Sequence, residues 1–228
     1  MNQRSHRISP TRTAWVGTAV VLTAPTVLLA GFVYHPYVAI PIDEAALAAA
    51  TASDTTRWGL AHLVIGVGYG LTALAFLAVR RHLREAGEER WSASAVPFVV
   101  IGCSLFAILT GMEFAPLAAA ETGGDVEAAQ SELAPWFIPI GVLGALSFTL
   151  GALGFAQAIR RSAVLPVRAT RLVVGALIVM AAARFVPLGV AQPVIGVAGV
   201  LALWPLAVEM RKHPEAKPTP QPESLSTS

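Results

Sequence analysis

Residues 14–33 run for twenty positions without a charge. A helix of that length rises ~30 Å at ~1.5 Å per residue, the thickness of a bilayer's hydrocarbon. Five further apolar runs follow, at 58–79, 96–112, 135–159, 172–188 and 194–208. Backbone polar groups in hydrocarbon must be satisfied within the protein, so runs this long and this apolar are read as helices. Only 13% of the 228 residues are charged, against about 25% in a typical soluble domain. The sequence therefore predicts an all-α fold, a six-span transmembrane helical bundle. Its spans are expected at about 14–34, 58–79, 95–115, 136–159, 171–188 and 193–209, within a membrane domain covering 14–212.

The arginines and lysines orient it. Apart from Arg57 and Arg184, all fall in four segments: the N-terminal 1–13, the loops 80–92 and 160–171, and the stretch 211–217. The bias of basic residues toward the cytoplasm puts both termini inside and the connections 34–57 and 120–135, rich in acids, outside. Trp15 and Trp91 are expected at inner ends of spans and Trp58 and Trp136 at outer ends, as an aromatic belt; Trp204 fits only loosely. A basic flank before an apolar run also describes a signal peptide. This run is longer than a usual signal core and lacks a small-x-small cleavage site, so it is read as a retained span. Residues 213–228, polar and proline-rich, are expected to be a disordered cytoplasmic tail. The net charge of +2, dispersed in flanks, argues against nucleic acid as a partner. Cys103 stands alone within an apolar run, so no intrachain disulfide can form.

A motif recurs. Gly111-Met112-Glu113-Phe114-Ala115-Pro116-Leu117 closes the third run, Ala183-Arg184-Phe185-Val186-Pro187-Leu188 closes the fifth, and Tyr34-His35-Pro36-Tyr37 closes the first. Around it the chain repeats an order: span, proline, acidic helix, tryptophan, span, paired arginines. Pro36 and Pro116 stand 80 residues apart, and Asp43-Glu44-Ala45-Ala46 is echoed by Asp125-Val126-Glu127-Ala128-Ala129. Three tandem two-helix hairpins related by rotation about the membrane normal are expected, the third lacking the acidic helix. Asp43 and Asp54 read as caps of the helices that follow them. Arg81 with Glu85, and Arg84 with Glu88, are spaced for ion pairs on a helix running past the membrane.

Ionisable groups within spans are costly, so each is a candidate site residue. Glu113 lies ~27 Å along a helix from Val96, and Arg184 ~18 Å beyond Leu172, both toward the outer side. The arginine's long side chain could reach the carboxylate. His62 and Tyr69, seven residues apart, share a helix face, and His35 closes the first span. These five residues, Glu113, Arg184, His62, His35 and Tyr69, form the expected ligand-binding set near the outer face. His35, His62 and Glu113 have the composition of a two-histidine, one-carboxylate metal site, but no local spacing supports one. Haem would need two imidazoles at similar depth, and only His62 lies inside a span. No metal or cofactor is therefore assigned, and no serine has a histidine–acid partner for catalysis. Gly66-Val67-Gly68-Tyr69-Gly70 resembles a potassium-channel filter, but it lies in a continuous apolar run with Gly66 in place of the threonine. These glycines, with Gly141, Gly144, Gly151, Gly154, Gly196 and Gly199, are read as sites of close helix packing.

The Ala/Arg/Gly/Val-rich spans and short loops resemble those of uncharacterised small bacterial multi-pass integral membrane proteins. That likeness is compositional, covers the whole chain and implies the cytoplasmic (inner) membrane. The expected role is a binding or transport scaffold whose partners are the lipid bilayer and a second copy or another membrane protein. A structural or accessory membrane subunit, and a metal-dependent membrane enzyme, are the alternatives.

Overall fold

Proline and aspartate set the boundaries of the helices. A computed structural model describes residues 10–212, with side chains from Trp15 onward. The N-terminal residues 1–9 and the tail expected to be disordered lie outside the described residues. Eight α-helices follow in order: α1 (Pro10–Tyr34), α2 (Glu44–Ser53), α3 (Thr55–Glu85), α4 (Arg90–Met112), α5 (Phe114–Thr122), α6 (Val126–Ser162), α7 (Val167–Ala182) and α8 (Ala191–Lys212). A single 3-10 turn, Ala183–Phe185, extends α7. The described residues contain no strand.

Three of these boundaries carry the repeated motif. α1 stops at Tyr34, two residues before Pro36. α4 stops at Met112, because the Pro116 ring clashes with the carbonyl four residues back and offers no N–H to it. Val186, before Pro187, is extended at φ −95° and ψ 111°, which a following proline favours, and the 3-10 turn ends there. The aspartate caps work as their spacing suggests. Asp43 accepts from the Ala46 amide at 3.1 Å and Asp54 from the Arg57 amide at 2.9 Å. Asp125 does the same for Ala128 at 2.9 Å, opening α6.

Six helices form a ring. α1 packs on α3, α3 on α4, α4 on α6, α6 on α7 and α7 on α8, which closes onto α1. Helices α2 and α5 pack at one end, the acidic end, against α6 and α3. At the opposite, basic end, the Arg161 guanidinium lies 5.6 Å from the Trp91 ring and that of Arg211 5.6 Å from Trp15. Among the described residues five helical segments are long and apolar enough to cross a membrane: Trp15–Tyr34, Thr55–Glu85, Arg90–Thr122, Val126–Ser162 and Ala191–Lys212. Their outward faces carry exposed Leu63, Val67, Leu74, Leu143, Leu146 and Leu150. A belt of that kind is suited to lipid and would be an association hazard in water. α7 has 16 residues and falls outside the five.

Small residues let the ring close. A Cβ built on Gly102 would stand 2.7 Å from the Phe148 nitrogen, and one on Gly196 2.8 Å from the Leu29 Cα. Gly68 meets Leu28 and Gly151 meets Val99 in the same way. Gly70, by contrast, faces open space and packs on nothing. Inside the ring Phe76 touches Phe148 and Phe155, with centroids 6.1 and 4.8 Å apart, and all three are fully buried.

Three expectations are corrected. α6 does not open at Pro135: it runs 37 residues from Val126 straight through Pro135 and Pro139. That is ~55 Å of helix, so its first turns stand clear of any ~30 Å slab. Glu88 does not pair with Arg84. The helix before it has ended at Glu85, and its carboxylate caps α4 through the Trp91 and Ser92 amides at 2.8 and 3.1 Å. Trp58 is not in an exposed belt. It is 1% exposed, packed in a cluster with Val38 and Leu117, whereas Trp15 and Trp136 are 61% and 69% exposed.

Candidate functional site

The three residues at the proline breaks converge. His35 after α1, Glu113 between α4 and α5, and Arg184 in the 3-10 turn after α7 all line one cavity of about 440 Å3 at the acidic end of the ring. His62 and Tyr69, on one face of α3, line it too. All five residues singled out by sequence thus share one space, within the ~300–1,000 Å3 range typical of small-molecule sites. Its remaining wall is mostly apolar, with Phe32, Ile65, Leu109, Val142 and Ile195 among the lining side chains. Trp58, Val38 and Leu47, which pack together, line it as well.

The breaks explain why these side chains turn inward. A proline-induced stop frees the chain to change direction one turn early, so the polar residue before it sits at a helix end within the ring rather than on an outward face. Glu113 is 5% exposed. The expected reach of Arg184 to Glu113 does not occur. The Glu113 carboxylate accepts instead from Gln130 Nε2 at 3.1 Å, a residue on the part of α6 that stands beyond the apolar slab. Gln130, 5% exposed, was not anticipated: it lies 17 residues from Glu113 with no shared spacing.

Arg184 is held by rings. Its guanidinium lies 3.9 Å from the centroid of Phe148, 4.4 Å from Phe106 and 5.5 Å from Tyr69. Electron-rich ring faces attract a cation when water is excluded. Nη1 donates to the Tyr69 hydroxyl at 3.2 Å, while Nε and Nη2 are buried without an acceptor among the described residues. Tyr69 stacks on Phe106 with centroids 5.1 Å apart. Phe106 was legible in principle, since it lies on α4 seven residues, two helical turns, before Glu113.

The histidines form a second group. The His35 and His62 rings meet edge to face at 4.8 Å, and each lies against Trp58, at 4.9 and 4.7 Å. Nδ1 of His62 donates to the Trp58 carbonyl at 2.9 Å, and Nδ1 of His35 to the Pro36 carbonyl at 2.7 Å. A carbonyl can only accept, so both Nδ1 atoms carry a proton and each neutral ring keeps Nε2 as its acceptor. Burial pushes the His35 pKa below its usual 6.5, the Pro36 hydrogen bond opposes this, and the nearby Arg57 charge adds to it. The Trp58 indole N–H is buried without a partner among the described residues. Among the described residues no three histidine, cysteine or acidic side chains come together in a way that could hold a metal ion. Here the Glu113 carboxylate is turned to Gln130 and the imidazoles are packed on one another.

Among the described residues the cavity thus combines one cation without an anionic partner, an unpaired indole donor, two imidazoles and a hydrogen-bonded carboxyl group, set in an apolar wall. Such an arrangement can orient a small molecule. Comparison of the chain with protein-family models, with curated proteins and with solved structures finds no match.

Proposed function

We propose that the chain is a six-span protein of the bacterial cytoplasmic membrane, with both termini in the cytoplasm, that binds a small molecule in the cavity near its outer face. The observation that carries this reading is the convergence of His35, Glu113 and Arg184, from three separate helix ends, on one apolar cavity. Costly polar groups inside a membrane bundle are retained for function more often than for stability. A purely structural or accessory role is better suited by a filled bundle than by one holding an open cavity of about 440 Å3.

Six spans rather than five are supported by the length of α7 with its 3-10 extension. Sixteen α-helical residues at ~1.5 Å and three at ~2.0 Å reach about 30 Å. The turn after it meets the α1–α2 connection, where the Gly189 amide donates to the Ala39 carbonyl at 2.9 Å. Matching caps at Asp43 and Asp125, and helix ends at all three proline motifs, support an origin in repeated hairpins.

Access from outside is testable with a single thiol. In a Cys103→Ala background, Thr110→Cys puts the thiol on the cavity wall. A membrane-impermeant maleimide applied to intact cells is expected to label it. Labelling only after the membrane is opened would overturn access from the outer face.

A further inference from the structure

The two nitrogens of Arg184 without acceptors are Nε and Nη2, and they are neighbours on one edge of the guanidinium. Its other terminal nitrogen is occupied by Tyr69. That edge carries two parallel N–H donors, the fork that matches two oxygens of one anion, and neighbouring side chains cover it, so a ligand reaches it only when one of them shifts. Buried donors left unmade cost free energy, and a buried charge without a counter-ion costs more. Glu113 does not supply the anion, being turned to Gln130. The aromatic faces of Phe148 and Phe106 offset part of the cost of the charge but accept nothing from the edge.

The margin of the cavity says what the rest of the ligand is. Ile138 and Val142 on α6, and Phe185, Val186 and Leu188 after α7, line the cavity and are also exposed at its rim. That rim is apolar and continuous with the belt of exposed Leu143 and Leu146 on α6. Such a rim would admit an apolar chain from the side, beside the route from the outer face.

We propose that the cavity holds an amphiphile, its two-oxygen anionic headgroup on the free edge of Arg184 and its apolar body against the cavity wall. This rests on the reading that the cavity binds a ligand, and names the ligand's class. The headgroup chemistry is shared by a free long-chain carboxylate and by the phosphate of an anionic phospholipid.

The test uses the purified full chain in phosphatidylcholine nanodiscs, with dodecanoate and dodecanol as probes and calorimetric binding as the readout. Arg184→Met keeps most of the side chain's bulk and removes a charge that has no anionic partner, so the bundle is expected to fold. Dodecanoate should bind the wild type at least tenfold more tightly than dodecanol does, and lose tenfold or more in Arg184→Met. Arg184→Lys should fall between, having charge without the fork. Competition by nanodiscs containing phosphatidylglycerol would name the phospholipid as the source, and its absence the free carboxylate; either supports the shared headgroup chemistry. Equal binding of dodecanoate by wild type and Arg184→Met, or of dodecanol and dodecanoate by the wild type, would overturn the anion site while leaving the cavity a binding site. Failure of both probes to bind, with no effect of phosphatidylglycerol, would remove the binding reading as well.

Discussion

Adding one methyl group at Gly102 should destabilise the bundle, and the same addition at Gly70 should not. A Cβ at Gly102 would meet the Phe148 backbone nitrogen, Cβ and Cα at 2.7, 2.8 and 2.9 Å. Carbon contacts are optimal near 3.5–4.0 Å, so α4 and α6 must part by roughly 0.7 Å. The seam between them is filled by Ala95, Val99, Cys103, Ala145, Phe148 and Ala152, each no more than 3% exposed. A gap of that size forfeits about a third of each contact, and some ~40 atom pairs at ~0.15 kcal/mol each make the loss about 2 kcal/mol. Overpacking generally costs ~1–3 kcal/mol. Alanine's better helix propensity returns ~0.8 kcal/mol, leaving Gly102→Ala about 1 kcal/mol less stable than wild type. Gly70→Ala meets nothing within 4 Å and should gain the propensity term alone. Unfolding by sodium dodecyl sulfate in mixed micelles measures both. Equal stability of the two variants would refute the argument that backbone contact at glycine sets the α4–α6 distance.

Other substitutions test the site and the caps. In a double-mutant cycle, Glu113→Gln and Arg184→Met should show a coupling below about 0.5 kcal/mol, since each residue has its own partner; a coupling several times larger would mean that the two pair. His35 is held below its usual pKa of 6.5 chiefly by burial. The unfolded chain therefore takes up a proton first, and the stability present above pH 6.5 should decline as pH falls below it. His35→Gln should make that decline shallower, and an unchanged slope between pH 7 and 5 would show that His35 does not carry it. Asp43→Ala and Asp125→Ala should each cost about 1 kcal/mol by loss of the cap, measured by the same micellar unfolding. Their Asn counterparts should recover most of it, because the amide oxygen can still accept.

What sequence alone could reach was set by the range of the interactions. Apolar length, proline and capping aspartate act within a turn or two, so α1, α3, α4 and α8 lie where the runs and breakers put them. The proline motif also pointed to the cavity. It marks where a helix ends, and residues at three such ends on one side of a ring have little room to be far apart. Partner choice was another matter. Gln130 reaches Glu113 only because α6 begins at Val126, nine residues before the apolar run, and passes through Pro135, a proline that reads locally as a start. Arg184 sits among Phe106, Phe148 and Tyr69 from three other helices, and no one-dimensional pattern joins them. Trp58 looked like a lipid anchor by position along the span. Which face of α3 it occupies is decided by its packing on Val38 and Leu117.

Arg184 shares one cavity with His35 and Glu113, and reading that cavity as one near the outer face of a six-span protein requires that α7 cross the membrane with the other five helices. The decisive measurement is the side of the membrane on which the C-terminus lies relative to the N-terminus. It can be made with a fluorescent reporter that matures only in the cytoplasm and a phosphatase active only outside, fused in turn to each end. Six spans predict fluorescence and no phosphatase activity at both ends. Phosphatase activity at the C-terminus together with a fluorescent N-terminus would give an odd number of crossings and contradict the account.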